Sequence, residues 1–309
     1  MKEQRWIVVA LMFLLLPGMM CAQYRHRAQS RSRSDNYHFL SVALAGGYSS
    51  LDENVPGAVT TGKFSGQGSI GYEFRRAGLW INVSGQLAMV NAETEFEPFA
   101  AKKRGADDTG DPGVFTYSIK QTDTHRWVTA GVPIMIGYYV TGFYFGFGAK
   151  VAFNLSSHSD TKGSYDLSMK YDNKVGDFIN IPGHGYTATY FDQSHSVRME
   201  PHGAIIGEIG YDLLSGISTN SETCHILKIG FYFEYGLNSV FNPVEPSTRL
   251  VINQQNATQA KVNPYFTSSL KSDERVAPYF LGVKLTYLFG GSASGRTGTW
   301  HRGCQCYQN

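Results

Sequence analysis

The sequence is short of several things at once. Cysteine is scarce, with four in 309 residues, too few for a scaffold held by disulfides. Charge of one sign is missing: 27 Lys and Arg against 25 Asp and Glu leave +2, too near zero to point to a nucleic-acid partner. Past the first 22 residues there is no long apolar run. A helical membrane bundle needs about 20 apolar residues per crossing, so that class is excluded. Apolar residues at helical spacing are missing too. What is present in quantity is glycine (34), tyrosine (19) and phenylalanine (19).

The start of the chain reads as an address. Lys2 and Arg5 precede the apolar run 7–16, and Pro17, Gly18 and "MMCAQ" follow. This is the order of a secretory signal, with cleavage expected after Ala22. Lipidation of Cys21 is disfavoured by Met19 and Met20 before it. Residues 23–36, "QYRHRAQSRSRSDN", are polar and basic and are expected to be a disordered leader on the periplasmic side. A basic arm for an anionic partner is the alternative.

Beyond the leader, period-two alternation recurs eight times. The stretches are 40–48, 64–75, 79–90, 127–139, 143–153, 203–213, 227–238 and 279–289. In "FYFGFGAKVAF" (143–153) every odd position is apolar, mostly Phe, while the even ones are Tyr, Gly, Ala and one Lys. One face of such a strand is apolar and the other small or polar. Short links ("RRAG", "VTG") alternate with long ones (49–63, 91–126, 154–202, 239–278), and each stretch can cross a bilayer as a tilted strand. The fold expected is all-β: an eight-stranded antiparallel transmembrane β-barrel with long extracellular loops and short periplasmic turns. The organisation is a signal peptide over 1–22, the leader over 23–36, the barrel over 37–290 and a periplasmic tail over 291–309.

Two residue sets follow. Tyr72, Phe74, Trp80, Tyr138, Phe143, Tyr211, Tyr287 and Phe289 lie beside the short-turn ends, as a periplasmic aromatic girdle would. Glu73, Lys150, Glu208, Lys228, Glu234 and Lys284 fall on the inner face, in equal numbers of each sign. Eight strands leave room only for side chains, so these six are expected to pair as a plug.

The segment "VPIMIGYYVTGFYFGFGAKVAF" (132–153) resembles the fourth and fifth strands of the small outer-membrane barrels common in Bacteroidota, the PorT-like or OmpA-type family. "PYFLGVKLTYLFG" (278–290) is similar to that family's last strand, with Gly282, Leu285, Tyr287 and Phe289 spaced as the signal read by the barrel-assembly machinery. The resemblance implies residence in the outer membrane of a Gram-negative bacterium, among lipid and lipopolysaccharide, with both termini periplasmic. It also implies contact with that machinery and a role, for some members, beside an envelope protein partner in secretion. The tail "GSASGRTGTWHRGCQCYQN" departs from it, since such chains usually stop near the last aromatic.

Other motifs carry less. "GQGSIG" (66–71) has the letters of a dinucleotide loop but lies within a strand. His158, His184, His195 and His202 with Asp160, Asp166, Asp172, Asp177 and Asp192 could build a hydrolytic site, yet they have no helical His spacing and no G-x-S-x-G accompanies them. No cofactor, catalytic group or metal is therefore assigned. In the mature chain Cys224 is expected to pair with Cys304 or Cys306, unless the latter two stay free or bind metal with His301. The function expected is non-enzymatic: surface display or an accessory part of an envelope complex. A small channel, or a loop-based hydrolase or acyltransferase, is the alternative.

Overall fold

The computed structural model describes residues 36–107, 109–140, 142–172, 178–179, 189–215, 224–244, 246–253 and 256–293. The leader up to residue 35, Cys304, Cys306, His184 and Asp177 lie outside the described residues, while Asn36, expected as the leader's last residue, opens the first strand. The strands are β1 (Asn36–Glu53), β2 (Ala58–Arg76), β3 (Leu79–Ala106), β4 (Pro112–Val140), β5 (Phe143–Tyr171), β6 (Phe178–Ile179), β7 (Thr189–Ser196), β8 (His202–Ser215), β9 (Cys224–Gly236), β10 (Leu250–Asn253), β11 (Asn256–Val262) and β12 (Val276–Ala293). One helical turn, α1, spans Tyr265–Ser268.

Eight of these strands close a ring. Each pairs antiparallel with the next in the order β1, β2, β3, β4, β5, β8, β9, β12, and β12 returns to β1. They contain seven of the eight alternating stretches of the sequence and all but the last two residues of 227–238. Closure leaves no open edge within the ring and satisfies every ladder hydrogen bond internally. The outer face is an apolar band: Leu44, Phe64, Ile70, Leu87, Phe147, Phe153, Phe231 and Leu285 are all exposed.

The short-turn end is tight. Arg76 pairs with Leu79, leaving Ala77 (φ 49°) and Gly78 (φ 85°) as a two-residue link. Positive φ at both positions is what the twist of a two-residue hairpin requires. The second short link places Gly142 at φ 85° between Val140 and Phe143.

The other end departs from expectation. The links 91–126 and 154–202 were expected as loops, but β3, β4 and β5 run on for 28 or 29 residues each. Period two continues through them: Phe115, Tyr117, Ile119, Gln121, Asp123, His125 and Trp127 all face inward and are buried. Polar residues share that inner face with apolar ones, so a search for apolar alternation stops too early. β6 and β7 pair along β5 beyond the ring. The link 239–278 is likewise built, holding the β10–β11 hairpin and α1. Two apolar clusters result. Leu51, Phe96, Trp127, Phe241, Phe266 and Leu270 belong to one, at the mouth of the barrel. Phe115, Tyr117, Tyr165, Met169, Leu250 and Val262 belong to the other, further out.

Candidate functional site: the lumen and its cap

The inner face of the ring alternates small residues with charges, and the register sets who meets whom. Lys228 on β9 reaches across to Glu73 on β2, Nζ to Oε2 at 3.2 Å, with both side chains 1–2% exposed. Arg75 adds Nε to Glu73 Oε1 at 2.7 Å and Nη1 to Asp212 Oδ2 at 3.4 Å. Lys284 on β12 meets Glu208 on β8 at 2.7 Å, and Lys150 on β5 meets Glu234 on β9 at 2.6 Å.

Tyrosines complete the coordination. Tyr139 donates to Glu73 (3.1 Å), Tyr144 to Glu208 (2.6 Å) and Tyr232 to Glu234 (3.3 Å). The Lys228 ammonium also sits 4.6 Å above the Trp80 ring and 4.2 Å above that of Tyr144. Four carboxylates thus face four cations inside the ring, each hydrogen-bonded, as charges withdrawn from water must be.

All six inner-face charges of the sequence reading stand in this lumen. Arg75 and Asp212 belong with them but were left out of that set. Their signal was available, since each follows a member by an even number of residues: Arg75 two after Glu73, Asp212 four after Glu208.

Trp80 corrects the girdle. It is 1% exposed and points into the lumen, because its neighbours Leu79 and Ile81 take the outer face. Tyr72, Tyr138, Phe143, Tyr211, Tyr287 and Phe289 do line the outer rim of the short-turn end, with Phe74 half-buried against His38, ring centroids 5.2 Å apart. Cys224 opens β9, its backbone opposite Gly290. The partners proposed for its thiol are among the undescribed residues.

The end of the lumen away from the short turns is covered by the described residues of 237–275, here called the cap. Its backbone is tied at Val240, which donates to Val276 O and accepts from Glu200 N, each at 2.9 Å. Gln121 on β4 takes Arg249 Nε on Oε1 (2.8 Å) and donates to Asn263 O (3.1 Å). Asp123 accepts from Gln121 Nε2 and from the backbone N–H of Tyr265, both at 2.8 Å. Two residues on, the His125 ring lies 5.1 Å from Phe266 and 5.8 Å from Phe241. Neither imidazole nitrogen has a hydrogen-bond partner.

Burial pushes the Asp123 carboxyl up to about 6, against its hydrogen bonds and the Arg249 charge. Burial alone pushes His125 down to about 3. Between this layer and the charges lies a cavity of about 20 Å³, touched by Trp127, His202 and Glu234, room for roughly one water.

Among the described residues, the loop His and Asp side chains form no cluster that could hold a metal ion. His158 faces outward on β5, His195 lies on β7 and His202 is buried at the start of β8. Asp160, Asp172 and Asp192 are engaged by Arg126 (3.8 Å), Arg104 (2.6 Å) and Lys162 (2.9 Å).

No family model matches the chain, and no curated protein matches it. Among solved structures it is similar to Ail, the attachment invasion locus protein of Yersinia pestis, crystallised in complex with the heparin analogue sucrose octasulfate. The TM-score is 0.26 and the identity 10%, over 82% of this chain and 99% of Ail.

Proposed function

We propose that the chain is a non-enzymatic outer-membrane barrel whose lumen is closed by charge pairs and whose capped end is presented outside the cell, for display or as an accessory of an envelope complex. The observation that carries this is the combination of an apolar exterior with a lumen filled by opposed charges. On β5 the outward apolar set runs from Phe143 to Leu155. At about 3.3 Å per residue and a tilt near 40° this spans roughly 30 Å, the thickness of a hydrocarbon core. Water would not tolerate so continuous an apolar girdle on a monomer.

The secretory leader, the PorT-like resemblance of 132–153 and 278–290, lipid and lipopolysaccharide as surroundings, assembly by the barrel machinery and periplasmic termini all belong to this reading. The ion pairs favour a plug over a channel, since an ion entering would have to displace a buried partner. The decisive measurement is conductance of the purified full chain in planar bilayers. Silence at physiological salt is expected. Stepwise conductance that disappears in a Lys150→Met, Lys228→Met variant would establish a channel instead.

A further inference from the structure

Asp123 and His125 are adjacent members of one buried row on β4, and both bear on the cap. Asp123 holds the cap by a hydrogen bond to its backbone, at Tyr265 N. His125 is covered by the cap's two phenyl rings and has nothing to share a proton with. Their positions are beyond the apolar band, where the outward neighbours are Thr122, Thr124 and Arg126. We propose that Asp123 and His125 form a proton-compensated latch, which keeps the cap docked on the barrel mouth as the surroundings acidify.

The groups facing His125 can be named element by element. On its own strand they are Asp123 and Trp127. From β3 it meets Ala92, with Thr94 beside it, and from β5 Ser159, flanked by Ser157 and Thr161. From the cap it meets Phe241 and Phe266, with Arg249, Tyr265 and Glu274 more distant around Asp123. No charged side chain on any of these contributes to holding its proton off; burial does so by itself. Above about pH 3, a proton on His125 therefore comes with departure of the cap.

The sign of each titration follows. His125 is neutral when docked down to about pH 3 but takes a proton near 6.5 once exposed. Acid thus favours undocking, up to tenfold per pH unit below about 6.5. Asp123 has the opposite effect. Docked, it takes its proton near pH 6; exposed, near 3.8. Its contribution to docking is fully present below 3.8 and is lost as pH rises through 6. Between about pH 6 and 4 the undocked state gains one proton on His125 and the docked state one on Asp123, so the equilibrium hardly moves. Combining the two titrations leaves a net response from pH 7 to 4 much smaller than either gives alone.

The test is hydrogen exchange of the cap amides Val240 and Tyr265, which bond to Val276 O and Asp123 on the barrel, in the full chain, corrected for intrinsic rates and referenced to barrel amides. In the wild type, protection should change from pH 7 to 4 by far less than in either single variant. Asp123→Asn removes the compensation, and protection should fall roughly 200-fold over the same range. His125→Phe removes the acid-labile member, and protection should instead rise roughly 60-fold. If Asp123→Asn undocks the cap at every pH, the His125→Phe arm decides. A wild-type-like pH response in Asp123→Asn, or no acid gain in His125→Phe, overturns the latch.

Discussion

Trp80 fits the lumen because two glycines stand beside it. A Cβ on Gly137 would lie 2.4 Å from its indole, and one on Gly146 2.3 Å. The slot explains why an aromatic that the girdle would welcome goes inward, and why Lys228 has a ring to rest on. Which face each lumen charge takes was legible in the sequence, since period two sorts Glu73 and Lys228 onto the inner side. Which charge meets which was not. Glu73 and Lys228 are 155 positions apart, and their contact exists only once ring closure and register are known. Replacing Lys228 by Met leaves Glu73 buried with Arg75 as its one remaining cation. The expected cost is about 3–5 kcal/mol, read as a lowered urea midpoint of the folded barrel. The double variant Glu73→Gln, Lys228→Met should recover most of it, because no charge is then stranded. Equal midpoints for wild type and Lys228→Met would mean that water already solvates these groups.

At the scale of elements, the short hairpin and the long one teach different things. The β2–β3 turn was readable from "RRAG", and its chemistry is local. Ala77 is held at φ 49°, a region that costs an L residue roughly 1–2 kcal/mol. Ala77→Gly should therefore stabilise the barrel by about 1 kcal/mol, less the entropy that glycine adds to the unfolded chain. A fall in urea midpoint on this change would show that the Ala77 methyl is needed for packing. The outer halves of β3, β4 and β5 were not readable in the same way. Their inner face mixes Phe115, Tyr117 and Ile119 with Gln121, Asp123 and His125, and their outer face carries Lys120, Arg126 and Lys162. Gln121 and Asp123 make sense only with the cap in place, whose Arg249, Asn263 and Tyr265 supply their partners from more than a hundred residues away.

The whole molecule has two unlike ends, and that asymmetry is its main clue to orientation. One end has links of two residues, at 77–78 and 141–142, while the other carries the extended sheet, the β10–β11 hairpin and the cap. Outer-membrane barrels keep short turns on the periplasmic side and longer elements outside. In the proposed orientation, an epitope placed at Gly110, in the turn between β3 and β4, is stained on intact cells. An epitope at Ser221, between β8 and β9, is stained only after the outer membrane is permeabilised. The chain ends follow from parity: eight crossings bring β1 and β12 to the same rim, where Asn36 pairs with Ala293. A tag after Asn309 should therefore behave as Ser221 does. Surface staining at Ser221 without staining at Gly110 would turn the barrel over, placing the cap and its latch in the periplasm.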